Sequence, residues 1–435
     1  MRVLALDVGS SSTRAGAYDE RGRQAAEPAR RSYTSSEGQL DADELLRAAE
    51  AVLAEAGDAD ALGISCFWHS LLLLDEHERP LTPVLLWQDR RATPQAEALA
   101  ERLDAREVHA RTGCTFHPSF WPAKLEWLRA EGVLASARRA VSFADYLFLR
   151  LTGELRTSLS SASGTGLLNL RTRSWDAELL DELDVDEALL PPISDEPAGT
   201  TYPPFGDGAC SNLGAGCVTP DRAALNIGTS GALRVVRQGD PEPKDGLFSY
   251  FLDERRVVEG GAVSDGGNLY AWAQRTLRLD PPEPREPDGH GLTFLPLLGG
   301  ERSLGWNPRA SGAVTGITFE TDAADLLQAG LEGIAYRIAD IADRLSDVRE
   351  VVATGHSLLQ SDWWMQVFAD ALGRPVVVSD VAEGSARGAA VYVLERLGAE
   401  ADPAPLGRAH QPDPERGEVY AAARERQRQL YEELF

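Results

Sequence analysis

The sequence predicts a mixed α/β protein built from two similar domains. Its 435 residues exceed what a single hydrophobic core usually supports. Hairpins, amphipathic helices and buried strands alternate along the chain, which is typical of a mixed α/β domain. One hairpin pattern occurs twice, about half a chain apart, and this repetition predicts two related domains that face each other.

The first half begins with a hairpin and continues into a helix and a strand. Apolar residues over 3–8 and 14–18 flank a turn of small residues, which predicts two strands joined by a short loop. From Asp41 to Glu55 the apolar residues recur on one helical face, and Asp41 is placed to cap the helix. A buried strand is predicted from Ala61 to Ser65.

The second half repeats the hairpin. Residues 223–236 follow the order of the first copy: an apolar strand, a glycine, hydroxyl residues and a second apolar strand. We place the boundary between Cys217 and Arg222, which predicts domains of residues 1–219 and 220–435.

Two Pro-rich segments and a terminal helix complete the outline. Residues 280–289 and 402–415 are charged and Pro-rich, which predicts exposed loops. A polar helix is predicted from Glu418 to Leu434, docked on the second domain through Tyr420, Leu430 and Tyr431.

The charge of the chain excludes several classes of partner. A net charge of −25 repels nucleic acids and anionic membranes. Any anionic ligand must therefore be held locally, by backbone N–H groups at turns and helix N-termini. Lys124 and Lys244 are the only lysines, and neither lies in a glycine-rich loop, so a P-loop nucleotide site is not predicted.

Targeting and cysteine patterns indicate a cytoplasmic protein. The sequence contains no run of about eighteen uncharged apolar residues and no signal peptide. Its four cysteines form no CxxC pair and have no histidines at metal-ligand spacing. We therefore expect buried, reduced thiols.

The two hairpin turns are the first candidates for chemistry. The turn after Asp7 presents backbone N–H and hydroxyl groups that suit phosphate oxygens, and Asp7 suits a hydrated Mg²⁺. A single such turn is more often an ordinary Gly/Ser hairpin. The second copy favours a pair of phosphate loops, one in each domain. The predicted phosphate contacts are Gly9, Ser10, Ser11, Ser12, Thr13, Arg14, Gly228, Thr229 and Ser230.

Asp207 is the candidate general base. It stands between Gly206 and Gly208 at the start of a predicted helix, directly before the second hairpin. The alternative interpretation is that Asp207 only caps this helix. We expect an exposed carboxyl with the reference pKa of about 3.9, ionised at neutral pH.

These motifs resemble the FGGY family of carbohydrate kinases from Val3 to about Tyr431. The resemblance implies two ribonuclease H-like domains of the actin and hexokinase type, with ATP and sugar bound in the cleft between them. It implies that Asp7 contacts the metal, that both turns hold phosphates and that Asp207 is the catalytic base. Residues 353–357 resemble the family's adenosine motif, which implies nucleotide contacts from Gly355, His356 and Ser357. His356 replaces a usual glycine.

Within the family, the chain is most similar to gluconokinases. The segments that carry this likeness are residues 63–70, 87–90, 111–114, 163–170 and 299–302 with Trp306. The resemblance implies a substrate site at Trp68, His69, Trp87, Asp89 and Gly206. Trp68 stands where the family has methionine, which reshapes the pocket.

The pocket residues also have plain structural interpretations. His69 could be a core histidine bonded to the backbone, Trp87 could pack the core, and Asp89 could form a surface ion pair with a neighbouring arginine. A ligand site is favoured because both segments follow predicted strands, at the strand ends where α/β proteins bind ligands.

The predicted activity is ATP-dependent and Mg²⁺-dependent phosphorylation of gluconate to 6-phosphogluconate. The nearest alternative is a xylulose, ribulose or polyol kinase of the same fold. A distant alternative is a non-catalytic ATP switch of the actin or chaperone type. A small sugar or sugar acid is the expected partner, and a homodimer is left open.

Overall fold

The computed structural model describes residues 1–36, 38–277, 285–345 and 347–435. Part of the predicted loop at 280–289 therefore lies outside the described residues. The strands in the described residues are β1 (Arg2–Val8), β2 (Ser12–Asp19), β3 (Ala29–Ser32), β4 (Gln39–Leu40), β5 (Ala61–Cys66), β6 (Leu72–Leu74), β7 (Val84–Leu85), β8 (Arg139–Val141), β9 (Leu168–Asn169), β10 (Ser174–Trp175), β11 (Phe205–Gly206), β12 (Arg222–Ile227), β13 (Gly231–Gln238), β14 (Phe248–Phe251), β15 (Arg256–Val263), β16 (Thr293–Leu295), β17 (Ala313–Thr315), β18 (Glu350–Thr354), β19 (Val376–Ser379) and β20 (Leu406–His410).

The helices surround two main sheets. They are α1 (Ala42–Ala56), α2 (Thr93–Arg102), α3 (Ala105–Thr112), α4 (Trp121–Ala130), α5 (Phe143–Thr152), α6 (Leu159–Ser163), α7 (Ala177–Glu182), α8 (Asp207–Gly214), α9 (Gly267–Leu277), α10 (Ala323–Arg344), α11 (His356–Leu359), α12 (Asp362–Leu372), α13 (Gly384–Arg396) and α14 (Pro414–Leu434). None of these helices is long and apolar enough to span a membrane.

The two main sheets share one topology. In the first, the order is β3-β2-β1-β5-β11, with β1 antiparallel to β2 and parallel to β5. In the second, the order β15-β13-β12-β18-β19 repeats that pattern, and β14 and β20 extend its edges. The predicted repeat and the two ribonuclease H-like units are therefore confirmed.

Most of the predicted elements are found, with one correction. Both hairpins form, and the Asp41 side chain caps α1 by accepting a hydrogen bond from the Glu44 N–H. The four cysteines are buried and free. The predicted exposed loop at 402–415 is wrong in part, because it contains β20, which pairs with β19 and buries His410. A single edge strand among prolines leaves little periodic signal.

The terminal helix docks on the second half, as predicted. α14 packs against α12 and buries Tyr420, and the Tyr431 hydroxyl donates a hydrogen bond to Glu301 at 2.7 Å. This burial stabilises the helix, whose exposed face is strongly polar.

Helix α13 ties the second half to the first sheet. It packs against α8, β1 and β5. Glycines permit the close approach: a Cβ on Gly388 would lie 1.9 Å from the Cys210 carbonyl oxygen, and one on Gly214 would lie 1.8 Å from that of Gly384. The position of α8, and of Asp207 at its start, therefore depends on this contact.

We predict that Gly388→Ala destabilises the protein by about 1–3 kcal/mol, because the added methyl overpacks a backbone contact. Denaturant unfolding measures the loss. The matched control is Gly384→Ala on the same helix, where a Cβ would meet nothing closer than the Ser211 hydroxyl at 4.0 Å. Equal unfolding midpoints for the two variants would contradict the packing argument.

Candidate active site

Asp207 lies between the two hairpins. It is the first residue of α8, and the N-cap position belongs to Gly206, so the capping interpretation is wrong. Its carboxyl accepts a hydrogen bond from the Gly208 N–H at 2.8 Å. Burial raises the pKa of this carboxyl above its usual value; Arg234 of the second hairpin opposes the rise, and Asp7 of the first adds to it.

The expectation of an exposed Asp207 with an ordinary pKa is therefore corrected. The residue is half-buried, because the packed start of α8 and the Trp68 ring enclose it. Desolvation disfavours the charged form of a carboxyl. The sequence could not show which residues would enclose position 207.

The first turn is a rigid, polar loop with Asp7 beneath it. The Gly9 N–H donates to the Ser12 carbonyl at 2.9 Å, and the Tyr33 hydroxyl donates to the Gly9 carbonyl at 2.5 Å. Ser11 is exposed and Ser10 half-buried, whereas Ser12 and Thr13 are buried. The turn therefore offers the hydroxyl groups of Ser10 and Ser11 to a ligand, while both backbone polar groups of Gly9 are used within the protein.

Asp7 and Arg14 form a buried ion pair. Arg14 Nε donates to Asp7 Oδ2 at 2.9 Å, and the Ser65 hydroxyl donates to Asp7 Oδ1 at 2.7 Å. Arg14 also pairs with Glu383 at 2.9 Å. Arg14, predicted to contact phosphate, is thus committed to two carboxylates, and it connects the first hairpin to the residue before α13.

The second turn meets the predicted adenosine motif. The Gly267 N–H donates to the Gly228 carbonyl at 2.8 Å, and a Cβ on Gly267 would lie 2.1 Å from the Ser357 hydroxyl oxygen. Thr229 is exposed, Ser230 is half-buried, and nothing lies within 4 Å of a Cβ on Gly228. The turn therefore has an open face.

His356 and Gly355 have different surroundings. His356 begins α11 and is exposed, so its ring does not crowd the turn. Gly355 has φ 90°, and a Cβ there would lie 2.5 Å from the Ile227 carbonyl oxygen. Only glycine suits this close crossing of β12.

Trp68 and Gly206 form a packed wall beside Asp207. The Trp68 indole N–H donates to the Ser160 carbonyl at 3.1 Å, and a Cβ on Gly206 would lie 1.8 Å from the indole ring. The Gly206 N–H donates to the Ser160 hydroxyl at 3.2 Å. These predicted substrate residues can therefore contact a ligand by packing, since their N–H groups are already used.

His69 presents a free acceptor nitrogen. Its Nδ1 donates to the Gly164 carbonyl at 2.7 Å, and burial holds its pKa well below the usual value, so the ring is neutral and Nε2 accepts. Lys124 Nζ donates to the His69 carbonyl at 2.5 Å. His69 has φ 66°, a strained conformation for a non-glycine residue and one typical of functional sites. The interpretation of His69 as a core histidine bonded to the backbone thus explains its Nδ1 atom and leaves Nε2 available to a ligand.

The predicted core packing of Trp87 and the predicted ion pair of Asp89 are each found in part. The guanidinium of Arg302 lies 4.3 Å from the centre of the half-buried Trp87 ring. Asp89 is buried and its two carboxylate oxygens accept hydrogen bonds from Arg91, the shortest at 2.5 Å. The predicted ion pair between Asp89 and a neighbouring arginine is therefore present, with Arg91, but the Asp89 carboxylate is buried and not at the surface.

Most of the chain matches known sugar-kinase domains. The model of the N-terminal domain of the FGGY family of carbohydrate kinases matches residues 2–205, and the model of the C-terminal domain matches residues 223–394. The chain belongs to the FGGY family of carbohydrate kinases. It is a phosphotransferase, and kinases of this family use ATP.

Relatives of this FGGY kinase differ in the substrates their names state. The chain is 28% identical to the gluconokinase of Bacillus subtilis, over 91% of this chain and 88% of the relative. It is 35% identical to the xylulose kinase of Streptomyces rubiginosus, over 81% of this chain and 77% of the relative. The crystal structure of gluconate kinase from Lactobacillus acidophilus superposes with a TM-score of 0.88 and 27% identity, covering 100% of this chain and 98% of that one.

The kinase has residues that fit a nucleotide-borne Mg²⁺. Among the described residues, no group of three or more His, Cys, Asp or Glu side chains could hold a metal ion alone. Asp7 is buried, and its negative charge adds to the rise in the pKa of Asp207. Each Asp7 oxygen accepts one hydrogen bond, from Ser65 or Arg14, and keeps a further lone pair. Asp7 would therefore hold a Mg²⁺ together with substrate phosphates.

Sequence reasoning assigned no role to four further residues at the site: Arg234, Tyr250, Asp265 and Arg302. Arg234 interrupts the apolar run from Ala232 to Val236 in β13, and this was a usable signal. Asp265 follows β15 in a Ser-Asp-Gly-Gly turn whose Gly267 contacts the Gly228 carbonyl. Tyr250 and Arg302 come from segments distant in sequence, so only tertiary structure brings them to the pocket.

Asp265 is a buried carboxyl whose ionisation opposes folding. It is 1% exposed, neither of its oxygens has a hydrogen-bond partner in the described structure, and burial raises its pKa from 3.8 to about 7. Because the folded-state pKa lies above the unfolded value, the contribution of Asp265 to the free energy of unfolding is fully present below about pH 3.8. It is lost as the pH rises through about 7.

We predict that Asp265→Asn reduces the pH dependence of the unfolding free energy. The variant should match the wild-type unfolding free energy near pH 4 and exceed it by roughly 1–3 kcal/mol at pH 7, because the amide carries no charge to desolvate. Denaturant unfolding across this pH range measures the difference. Parallel curves for the two proteins would show that Asp265 is not the titrating group.

Proposed function

We propose that this kinase transfers the γ-phosphoryl of ATP to a hydroxyl of gluconate, forming 6-phosphogluconate. The observation that carries the proposal is the Asp207 carboxyl, half-buried between the two hairpins and acted on by charges from both. The gluconokinase of Bacillus subtilis and the Lactobacillus gluconate kinase support the choice of acceptor. In this proposal residues 1–219 bind the sugar acid and residues 220–435 bind the nucleotide.

Asp207 acts as the general base. Phosphoryl transfer passes through a loose transition state, so catalysis consists mainly of positioning and charge stabilisation. Asp207 accepts the proton of the acceptor hydroxyl as that oxygen attacks phosphorus, which typically contributes about 10²–10⁴-fold in rate. Its position at the N-terminus of α8 and the charge of Arg234 favour the ionised form, against the desolvation that raises its pKa.

The acceptor is held beside Asp207 by His69 and Trp68. The His69 Nε2 accepts a hydrogen bond from a sugar hydroxyl, and the Trp68 ring forms an apolar wall that excludes water. Asp89 retains lone pairs beyond those that Arg91 uses, and these bind a further hydroxyl. Exclusion of water keeps the phosphoryl group from hydrolysis.

The nucleotide phosphates lie between the two turns. Backbone N–H and hydroxyl groups of residues 10–11 and 229–230 stabilise the phosphoryl oxygens as charge spreads over them, while Gly9 and Gly228 close the two turns through their own N–H groups. Asp7 holds Mg²⁺, which when bound neutralises phosphate charge. Gly355, His356 and Ser357 border the nucleoside.

A pentulose kinase of the same fold is the second candidate. The identity of 35% to the xylulose kinase of Streptomyces rubiginosus favours it. The acceptor therefore has to be decided by assay.

We expect a panel of acceptors to rank gluconate first. Its kcat/KM should exceed those of xylulose, ribulose and glycerol by at least about tenfold, the discrimination that one well-placed contact supplies. ADP release in a coupled assay measures each acceptor. A gluconate value no higher than that of xylulose or glycerol would assign the kinase to another acceptor.

We expect Asp207→Asn to lower kcat by roughly 10²–10⁴-fold, since the amide cannot accept the proton. Binding of MgATP, measured by calorimetry, should stay near the wild-type value. The control is Asp240→Asn, whose side chain is 90% exposed. Undiminished turnover would remove Asp207 from the mechanism and reopen the ATP-switch interpretation.

A further inference from the structure

Two arginine side chains at the pocket form no ion pair. Among the described residues, the guanidinium groups of Arg234 and Arg302 make no hydrogen bond and no ion pair, and the Nε of each is buried without a partner. By contrast, Arg337 pairs with Glu301 and Arg237 pairs with Glu259. Both unpaired side chains are half-buried, and the partial loss of water around an unpaired cation favours an anionic ligand.

The two guanidinium groups lie on one side of the pocket. A Cβ on Gly208 would lie 2.8 Å from Arg234 Nε, which places Arg234 beside Asp207. Arg302 covers the Trp87 ring at 4.3 Å. Burial lowers the pKa of Arg302 to about 10; Tyr250 raises it, and the nearby positive charge of Arg234 lowers it. The guanidinium stays charged at neutral pH even so.

Tyr250 completes this group. Its hydroxyl is buried beside the Cys114 thiol, a weak hydrogen-bonding group, and its ring packs against Trp68 at 5.1 Å and His69 at 5.7 Å. It interacts electrostatically with both arginines. A buried hydroxyl beside two unpaired guanidinium groups offers a third donor to the same anion.

The neighbouring groups do not supply the missing negative charge. Burial lowers the pKa of His69 well below its usual value and that of His117 to about 3, so both rings are neutral. Lys124 donates to the His69 and Leu85 carbonyls. The charge of Asp207 raises the pKa of both Arg234 and Arg302, so one carboxylate faces two guanidinium groups.

The two arginines have different neighbours. Arg234 lies beside the start of α8, where a Cβ on Gly208 would be 2.8 Å from its Nε, whereas Arg302 lies against the Trp87 ring at 4.3 Å. An anion bound by Arg302 would therefore lie at Trp87. An open-chain sugar acid has this arrangement, with its carboxylate at one end and the reacting hydroxyl at the other.

We propose that Arg302 and the Tyr250 hydroxyl form a carboxylate subsite, which makes this kinase specific for open-chain sugar acids. The inference rests on the proposed function. It assigns the acceptor specificity of the kinase to residues outside the two phosphate turns. Arg302 binds the carboxylate, because a planar guanidinium suits that group. Arg234 lies beside Asp207 and its charge favours the ionised form of the base.

The test compares D-gluconate with D-glucitol, which has the same carbon chain and a hydroxymethyl group in place of the carboxylate. Arg302→Met should lower kcat/KM for gluconate by roughly 30- to 150-fold, mainly through KM, because a charged hydrogen-bonded contact is lost. Glucitol, measured by turnover or by its Ki against gluconate, should change by less than about threefold. Arg302→Lys should be more active on gluconate than Arg302→Met and less active than the wild type. Lysine keeps the positive charge but lacks the two parallel N–H donors of a guanidinium.

Two controls separate a subsite from a structural role. Arg349→Met removes an exposed arginine that precedes β18, and it should leave both acceptors unchanged. Calorimetry without nucleotide should show gluconate binding to the wild type and weaker binding to Arg302→Met, with unfolding midpoints unchanged.

The outcomes distinguish the two proposals. A wild-type enzyme that uses xylulose and ignores every sugar acid would overturn the gluconate function and the subsite together. A wild-type enzyme active on gluconate, with an Arg302→Met variant weakened equally toward glucitol, would leave the function intact. That result would assign Arg302 to a contact that both acceptors share and overturn the subsite.

Discussion

The close packing of α13 against α8 is the contact on which the rest of the site depends. Gly214 and Gly388 bring two helix backbones together at distances that a side chain would prevent. Gly63 extends the contact to the first sheet, since a Cβ there would lie 2.5 Å from the Ala389 carbonyl oxygen. Because α8 begins at Asp207, the base is positioned by a helix from the other end of the chain.

The same helix positions the first phosphate turn. Glu383, directly before α13, pairs with Arg14, and Arg14 pairs with Asp7. Asp7 in turn adds to the rise in the pKa of Asp207. Packing and charge thus connect the candidate metal ligand, the candidate base and the second half of the chain, and a shift of α13 would disturb all three.

Two arginines without an ion pair lie near each other in this acidic chain. The net charge of −25 leaves most arginines next to a carboxylate, yet Arg234 and Arg302 have none apart from the influence of Asp207. The use of arginine suits this position, because a guanidinium stays charged when buried, whereas burial brings the pKa of Lys124 to about 7. A small anion can therefore bind in a pocket of a protein whose surface repels polyanions.

The sequence by itself determined the repeated hairpins, the two-unit α/β fold and the family, because strand periodicity and small-residue turns are local patterns. It also identified Asp207 and both turns as candidates, since glycines around a carboxylate leave a local signal. Only the tertiary structure decided that Asp207 is half-buried, that the Trp68 indole N–H is used within the protein and that β20 forms among prolines. It also decided which side chains, Tyr250 and Arg302 among them, share the pocket. These properties depend on desolvation and on contacts between residues far apart in the chain, and no local pattern encodes either.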